Sequence, residues 1–359
     1  MLAPFLGAIA DRGGSKKRFL GFFASVGVLA TLSLFLIPKG EWPLAALAYA
    51  TAMAGFMGGN IFYDSLLVSV SRKEDYDFSS ALGFSLGYLG GGLLFSLNIF
   101  MVLKPGLFGM ASAADAVRFS FLLVAVWWGI FSLPLLMLVK ERKSPLAGRG
   151  HSIRKGLRDL AETFRHIRGL KPVLYFLIAY WLYIDGVDTI IVMAVDYGLS
   201  LGFSSSDLMT ALLITQFVGF PSAIAFGRLG ERFGVKKALS AGLLIYCGVI
   251  FWGYKMDSAA EFYALAVIIG LAQGGVQALS RSYYARLIPK DRSAQFFGFY
   301  NMLGKFAAVL GPVLMGWVSV ATRNPRVSIL SLLLLIGGGL VILNFTKAGA
   351  VEDSGGADI

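Results

Sequence analysis

Gly7-Ala-Ile-Ala-Asp11-Arg12-Gly-Gly14-Ser-Lys16-Lys17, near the start of the chain, has a second copy: Gly227-Arg-Leu-Gly-Glu231-Arg232-Phe-Gly234-Val-Lys236-Lys237. The offset is 220 residues, and glycine, acid, arginine, glycine, lysine and lysine all coincide. The same offset pairs Tyr63 with Tyr283 and Leu67 with Leu287, and an offset of 215 pairs Gly83-Phe84 with Gly298-Phe299. The chain therefore reads as two copies of one unit in parallel order.

Composition says what the unit is made of. Of the 359 residues, 57% are apolar and 15% charged, and mean hydropathy is +0.71. A soluble domain is about half apolar and about a quarter charged. A water-soluble enzyme and a disordered chain are both excluded. Apolar runs fall at 1–9, 19–37, 43–70, 79–103, 117–139, 172–195, 207–227, 237–254, 261–285, 294–320 and 327–346. Most reach the roughly 20 residues that a helix needs to cross a bilayer. They do not alternate as barrel strands do. The expected class is an all-α membrane protein with about eleven transmembrane helices, the first one partial.

Charge orients these spans. The connectors 10–18, 71–78, 140–171, 228–237 and 286–292 and the C-terminal tail hold 24 of the 32 Lys and Arg. That bias puts them on the cytoplasmic side, with the C-terminus. The net charge of +11 is thereby a matter of the lipid bilayer, and no nucleic acid is expected. The two histidines, His151 and His166, share one connector, so any proton relay within the membrane falls to carboxylates. No metal site and no cofactor are expected. No phosphate-binding glycine loop or zinc-protease motif is present, which favours transport driven by an ion gradient over an enzyme.

The connector 140–171 separates an N-terminal helical half, 1–139, from a C-terminal six-helix half, 172–346, and a tail at 347–359 reads as disordered. Within the connector, Ile153, Leu157, Leu160, Phe164, Ile167 and Leu170 recur every three or four positions among arginines and lysines. That pattern reads as an amphipathic helix in the headgroup region; a motif for a cytosolic partner is the alternative.

Parallel six-helix repeats joined by a long cytoplasmic loop are the layout of the major facilitator fold. The repeated connector resembles that superfamily's loop signature, with Lys16 where arginine is more usual. A closer resemblance runs over nearly the whole chain. Gly87-Tyr88-Leu-Gly90-Gly91-Gly92, Tyr183-Ile-Asp185-Gly186-Val-Asp188-Thr-Ile-Ile, Gly274-Gly-Val-Gln277-Ala-Leu-Ser280-Arg281 and Phe297-Gly298-Phe-Tyr300 with Gly304-Lys305-Phe resemble the vacuolar amino-acid effluxer family, the autophagy-linked yeast effluxer and its bacterial relatives. The resemblance departs at Asp188, where an amide or a small polar residue is expected, and at the family's first helix, which has no counterpart. Six spans follow the long connector and four and a half precede it, so an N-terminally incomplete sequence is expected. The resemblance implies a secondary transporter that moves amino acids or related metabolites by alternating access. A bacterial inner membrane, a monomer and H+ as coupling ion are expected with it. A drug or lipid exporter on the same fold is the alternative, and a non-transporting membrane remnant is a third reading.

Candidate site residues follow from depth. At 1.5 Å per residue, Asp185 lies about 20 Å into its span, Asp188 about 24 Å, Asn301 about 10 Å, Lys305 about 16 Å, Gln273 about 18 Å and Gln277 about 24 Å. An isolated charge at such depth costs at least ~2.5–3.5 kcal/mol. Asp185 and Lys305 are therefore expected to face each other, water or substrate. An acid (Asp185, with Asp188) would meet an ammonium group or carry the coupling proton, Lys305 would meet a carboxylate, and Gln273, Gln277 and Asn301 would orient the solute. A structural Asp–Lys pair with glutamines bonding across helices is the alternative. Asp64 and Arg281 fall near cytoplasmic ends of spans, where they read as a gate or as plain helix-end charges. Gly83, Gly87 and Gly91 read as a close-packing stripe.

Overall fold

The periodicities resolve as helices throughout. The computed structural model describes residues 2–13, 15–141 and 170–346, and those residues hold no β-strand. The helices are α1 (Leu2–Gly13), α2 (Lys16–Leu36), α3 (Trp42–Val70), α4 (Tyr76–Leu103) and α5 (Ala113–Leu138), then α6 (Lys171–Ser200), α7 (Ser205–Phe233), α8 (Val235–Lys255), α9 (Ala259–Leu287), α10 (Ser293–Thr322), α11 (Pro325–Leu330) and α12 (Leu332–Asn344). Among the described residues, ten segments are long and apolar enough to cross a membrane, with α11 and α12 together making the last. The chain is an integral membrane protein. Gly14, the linker proposed to hold an amphipathic helix and the tail 347–359 lie outside the described residues.

Helix ends follow elementary capping. Ser204 and Ser258 each accept the backbone N–H three residues on, while Asp207 and Glu261 bond back to the cap, a capping box at the start of α7 and of α9. Gly234 separates α7 from α8 with φ +93°, a left-handed value that only glycine takes without strain. The run read as one span from 327 is divided at Ser331 into α11 and α12. Within α10, Ala308 leaves helical geometry at ψ 15°, four residues before Pro312. Proline has no N–H to give the carbonyl four residues back, so the break falls where the ring demands it.

The helices gather into two compact units. Among the described residues, the first holds those of 2–70, 91–141 and 290–301, and the second those of 71–90, 170–289 and 302–346. α4 and α10 thus each run through both. In the first unit α2 packs on α3 and α5, and α1 packs on α3 and α2. In the second, α8 packs on α9 and α12, and α7 packs on α9 and α8. With α1, α2, α3 and α5 set against α7, α8, α9 and α12, the pairs correspond one to one. The sequence repeat is thus a repeat of packing.

Within the first unit Ala10, Ile61, Phe62 and Ala294 form a buried cluster against Phe19, Leu20 and Phe23. In the second, α6 closes on α12: a Cβ at Gly186 would lie 2.5 Å from Ile336 Cγ1, and one at Gly339 2.8 Å from the Tyr183 backbone N. Small residues let apolar helices approach main chain to main chain, which is how spans associate where no hydrophobic effect drives them.

Candidate functional site

The first loop copy belongs to the first unit. Asp11, at the end of α1, is 2% exposed. Its Oδ1 accepts the N–H of Ala294 at 3.2 Å and its Oδ2 that of Gln295 at 2.9 Å. Those N–H groups belong to the first turn of α10, where a helix has unpaired donors and the positive end of its dipole. Lys16 Nζ lies 3.8 Å from Asp11 Oδ1 and donates to Ser293 Oγ at 2.6 Å and Ser69 Oγ at 3.1 Å. Asp11 lies outside the candidate membrane spans. Burial raises its carboxyl from 3.8 to about 6, against the pull of Lys16 and of the two N–H groups. A Cβ at Gly7 would run into the Ala294 main chain, and one at Gly298 would lie 2.5 Å from Pro4 Cα. Lys17 Nζ donates to the Val139 carbonyl that ends α5, at 2.5 Å. Glu141 accepts the N–H groups of Lys16 and Lys17 at the start of α2, at 2.7 and 3.2 Å.

The second copy, in the second unit, uses its glycines in the same way and its acid differently. A Cβ at Gly227 would lie 2.5 Å from Ala81 Cβ of α4. Glu231 is exposed. The buried acid beside this copy is Asp77, at the start of α4, whose Oδ2 takes the Arg286 guanidinium at 2.8 Å. Lys236 Nζ donates to the carbonyls of Asn344 and Thr346 at the end of α12, at 2.7 and 2.9 Å. The Arg232 guanidinium lies over the Phe233 ring, and Lys237 is exposed.

The polar residues at midspan also gather in the second unit. Tyr88 of α4 donates to Gln277 Oε1 at 2.8 Å. Its ring fits between two glycines: a Cβ at Gly219 would lie 3.0 Å from Tyr88 Cδ1, and one at Gly274 3.1 Å from Cε2. Asp188 of α6 is half-buried and lies within electrostatic reach of Tyr88, Tyr246, Asp185 and Lys305 of α10. Gln273 and Gln277 stand one turn apart on α9. Gln273 is 8% exposed, and its Oε1 is buried with no hydrogen-bond partner, as is the Tyr246 hydroxyl. Gln273 also lines an otherwise mostly apolar cavity of about 80 Å³ with Thr215, Ala266 and Ile190. An acid, an ammonium, two amides and a phenol thus come from α4, α6, α9 and α10. Such a set can meet both ends of a small zwitterion or a polyhydroxyl solute.

The remaining predicted residues take other places. Asp185 is fully buried, and its Oδ1 accepts the Gly311 N–H at 2.9 Å and the Thr189 hydroxyl at 3.4 Å. Asn301 belongs to the first unit, where its Nδ2 donates to Asp64 Oδ2 at 2.9 Å. Arg281 belongs to the second: its Nε donates to Ser80 Oγ and its Nη2 to the Ser80 carbonyl, both at 2.9 Å, with the guanidinium 4.6 Å from the Phe84 ring centre. At Gly87, expected in a close-packing stripe, no atom comes within 4 Å of a would-be Cβ; the contacts of that turn go to Tyr88 instead. Sequence reasoning missed Tyr88, Asp77 and Ser80. The glycines beside Tyr88 were the available signal.

Comparison with known proteins gives the family of the chain. The profile of a family described as "Vacuole effluxer Atg22 like" matches residues 1–78 and 70–350. The chain is 41% identical over 350 residues to the uncharacterized MFS-type transporter YxiO of Bacillus subtilis (strain 168), covering 96% of this chain and 81% of that protein. It is 27% identical over 414 residues to autophagy-related protein 22 of Yarrowia lipolytica, covering 91% and 69%. Among solved structures, the Escherichia coli fucose:proton symporter FucP superposes with a TM-score of 0.74 at 15% identity, over 97% of this chain and 88% of that one. The chain belongs to the Atg22-like vacuole effluxer family, and with it to the transporters of the major facilitator superfamily.

Proposed function

We propose that the protein carries amino acids or related small polar metabolites across a bacterial plasma membrane by alternating access, coupled to protons, as a monomer with a cytoplasmic C-terminus. The observation that carries this reading is the single cluster of Asp188, Lys305, Gln273, Gln277 and Tyr88 on four helices of one unit. Lys305 supplies the charge for a carboxylate and Asp188 the charge for an ammonium. The amides and the phenol fix orientation at little cost, because they already hold one another. A largely apolar drug or lipid would leave Lys305 unused at a depth where an idle charge is costly. Among the relatives, the Atg22 family description names an effluxer, and FucP is titled a fucose:proton symporter. The first supports export of a solute, and the second is a proton-driven example on the same fold. Asp64 and Arg281 are proposed to act in gating, each within its own unit's hydrogen-bond network.

The test is transport by the purified protein in liposomes under an imposed pH gradient. At least one of the twenty common amino acids should move, and Lys305→Met should raise the half-saturating concentration by about tenfold or more, the loss of one charged hydrogen bond of about 1.5–3 kcal/mol. If none of the twenty moves in either direction, the substrate class is wrong.

A further inference from the structure

The break in α10 and the buried acid of α6 are one arrangement. The break lies at Ala308, where Pro312 cannot donate to the carbonyl. In the turn just past it, the Gly311 N–H donates to Asp185 Oδ1 at 2.9 Å, and Thr189 adds its hydroxyl. A Cβ at Gly311 would run into Thr189 Oγ1 and lie 2.9 Å from Asp185 Oδ1, so only glycine lets the carboxyl come this close. The other oxygen, Oδ2, is buried with no hydrogen-bond partner. A carboxylate held this way carries one satisfied oxygen and one desolvated one, which is costly while it is charged.

We propose that Asp185 is a positioning residue. Its Oδ1 ties the C-terminal part of α10 to α6 through Gly311. A proton gained or lost at Oδ2 changes the strength of that tie, and with it the angle of the break and the direction of Lys305, which lies just before it. No solute needs to touch Asp185. The proposal deepens the reading of proton-coupled transport and rests on it. The charge that faces the tie is Asp188 on α6 itself, which in turn lies within electrostatic reach of Lys305, the one charged residue of α10. Of the helices packed on α6, α12 carries no charged residue. Those of α7 are Asp207, Arg228, Glu231 and Arg232 near its ends, α9 has Glu261, Arg281 and Arg286, and α11 has Arg326, which pairs with Asp257.

The experiment places spin labels at the exposed ends of the two helices, through Ser200→Cys and Thr322→Cys in a Cys247→Ala background, in lipid nanodiscs. Pulsed dipolar spectroscopy then reads the label distance at pH 5 and pH 8. Two distances should exchange population by about fivefold or more between the two pH values, a bias of about 1 kcal/mol. Asp185→Asn should show one ratio at both. Asp185→Glu should keep the dependence with a displaced midpoint. Gly311→Ala, which keeps every charge but pushes the donor and the Thr189 hydroxyl away from Asp185, should lose it. The proposal is overturned if the distances of the unaltered protein ignore pH, or if Asp185→Asn or Gly311→Ala responds as the unaltered protein does. Uptake measured in parallel separates the two levels. Distances that move with pH in a protein that no proton gradient drives would sink the coupling and leave the positioning role. Proton-driven uptake with pH-blind distances would do the reverse.

Discussion

The two copies of the loop motif share their spacing and differ in what their acids do. In the first, Asp11 is buried and receives two N–H groups from the start of α10. In the second, Glu231 is exposed, and the buried carboxylate beside it is Asp77 of α4, paired with Arg286. The glycines agree: Gly7 and Gly227 each let a neighbouring helix come within a distance that a Cβ would forbid. The lysines agree as well, since Lys17 and Lys236 each cap the last carbonyls of a helix. A repeat therefore transmits packing more faithfully than it transmits a charge partner. Close approach needs a glycine in the motif and a small residue or bare main chain opposite, whereas an ion pair needs a particular charge on the other helix.

That contrast can be broken in order of expected effect. Asp11→Ala should be the most damaging, by about 3–5 kcal/mol, because it removes the buried carboxylate beside Lys16 and leaves two N–H groups bare. The thermal midpoint of detergent-solubilised protein reads it. Gly7→Ala and Gly227→Ala should each cost about 1–3 kcal/mol through overpacking, yet only one can be rescued. Ala81→Gly should restore Gly227→Ala, while Gly7→Ala meets main chain and has no partner to trim. Rescue at neither site, or no loss at either, would dissolve the packing half of the comparison.

A pH series sharpens the difference in acids. Asp11 titrates in the folded protein near 6 against 3.8 for the free side chain. The folded state then holds a proton that the unfolded chain releases. The stability gained from it is complete below 3.8 and is lost as pH rises through about 6. Asp11→Asn should flatten the midpoint-against-pH curve in that window, and a curve left unchanged would move the titration elsewhere. The smallest effect belongs to Glu231→Ala, within about 0.5 kcal/mol, as for other exposed positions. A loss comparable to that of Asp11→Ala would make the two copies equivalent after all.

Most of the fold was legible because its cues are local. Run length, the basic connectors and the 220-residue offset are carried by the chain itself. The site was legible to the extent that depth is additive along a helix. Asp188, Gln273, Gln277 and Lys305 do come into one unit. Asp185 was read as facing Lys305, water or substrate, whereas its hydrogen bonds go to Gly311 and Thr189. That partner lies in the turn just past the break in α10, and a straight-helix count of depth has no place for a break at Ala308. Tyr88 was hidden for another reason. A tyrosine inside an apolar run looks like core, and its role comes from two glycines on other helices, Gly219 and Gly274, far away in sequence.

The lysines that end α5 and α12 have a meaning in time as well as in space. Positive charge next to a span directs which end stays behind when the helix enters the membrane. On the proposed orientation, with these connectors in the cytoplasm, Lys17 and Lys236 would belong to that set during synthesis, and in the folded protein the same ammonium groups sit on carbonyl oxygens. On that proposal each charge would serve first as an address and then as a clasp. Moving these lysines to redirect insertion would also unfasten α5 and α12, so an inverted topology should emerge frayed at those two helix ends.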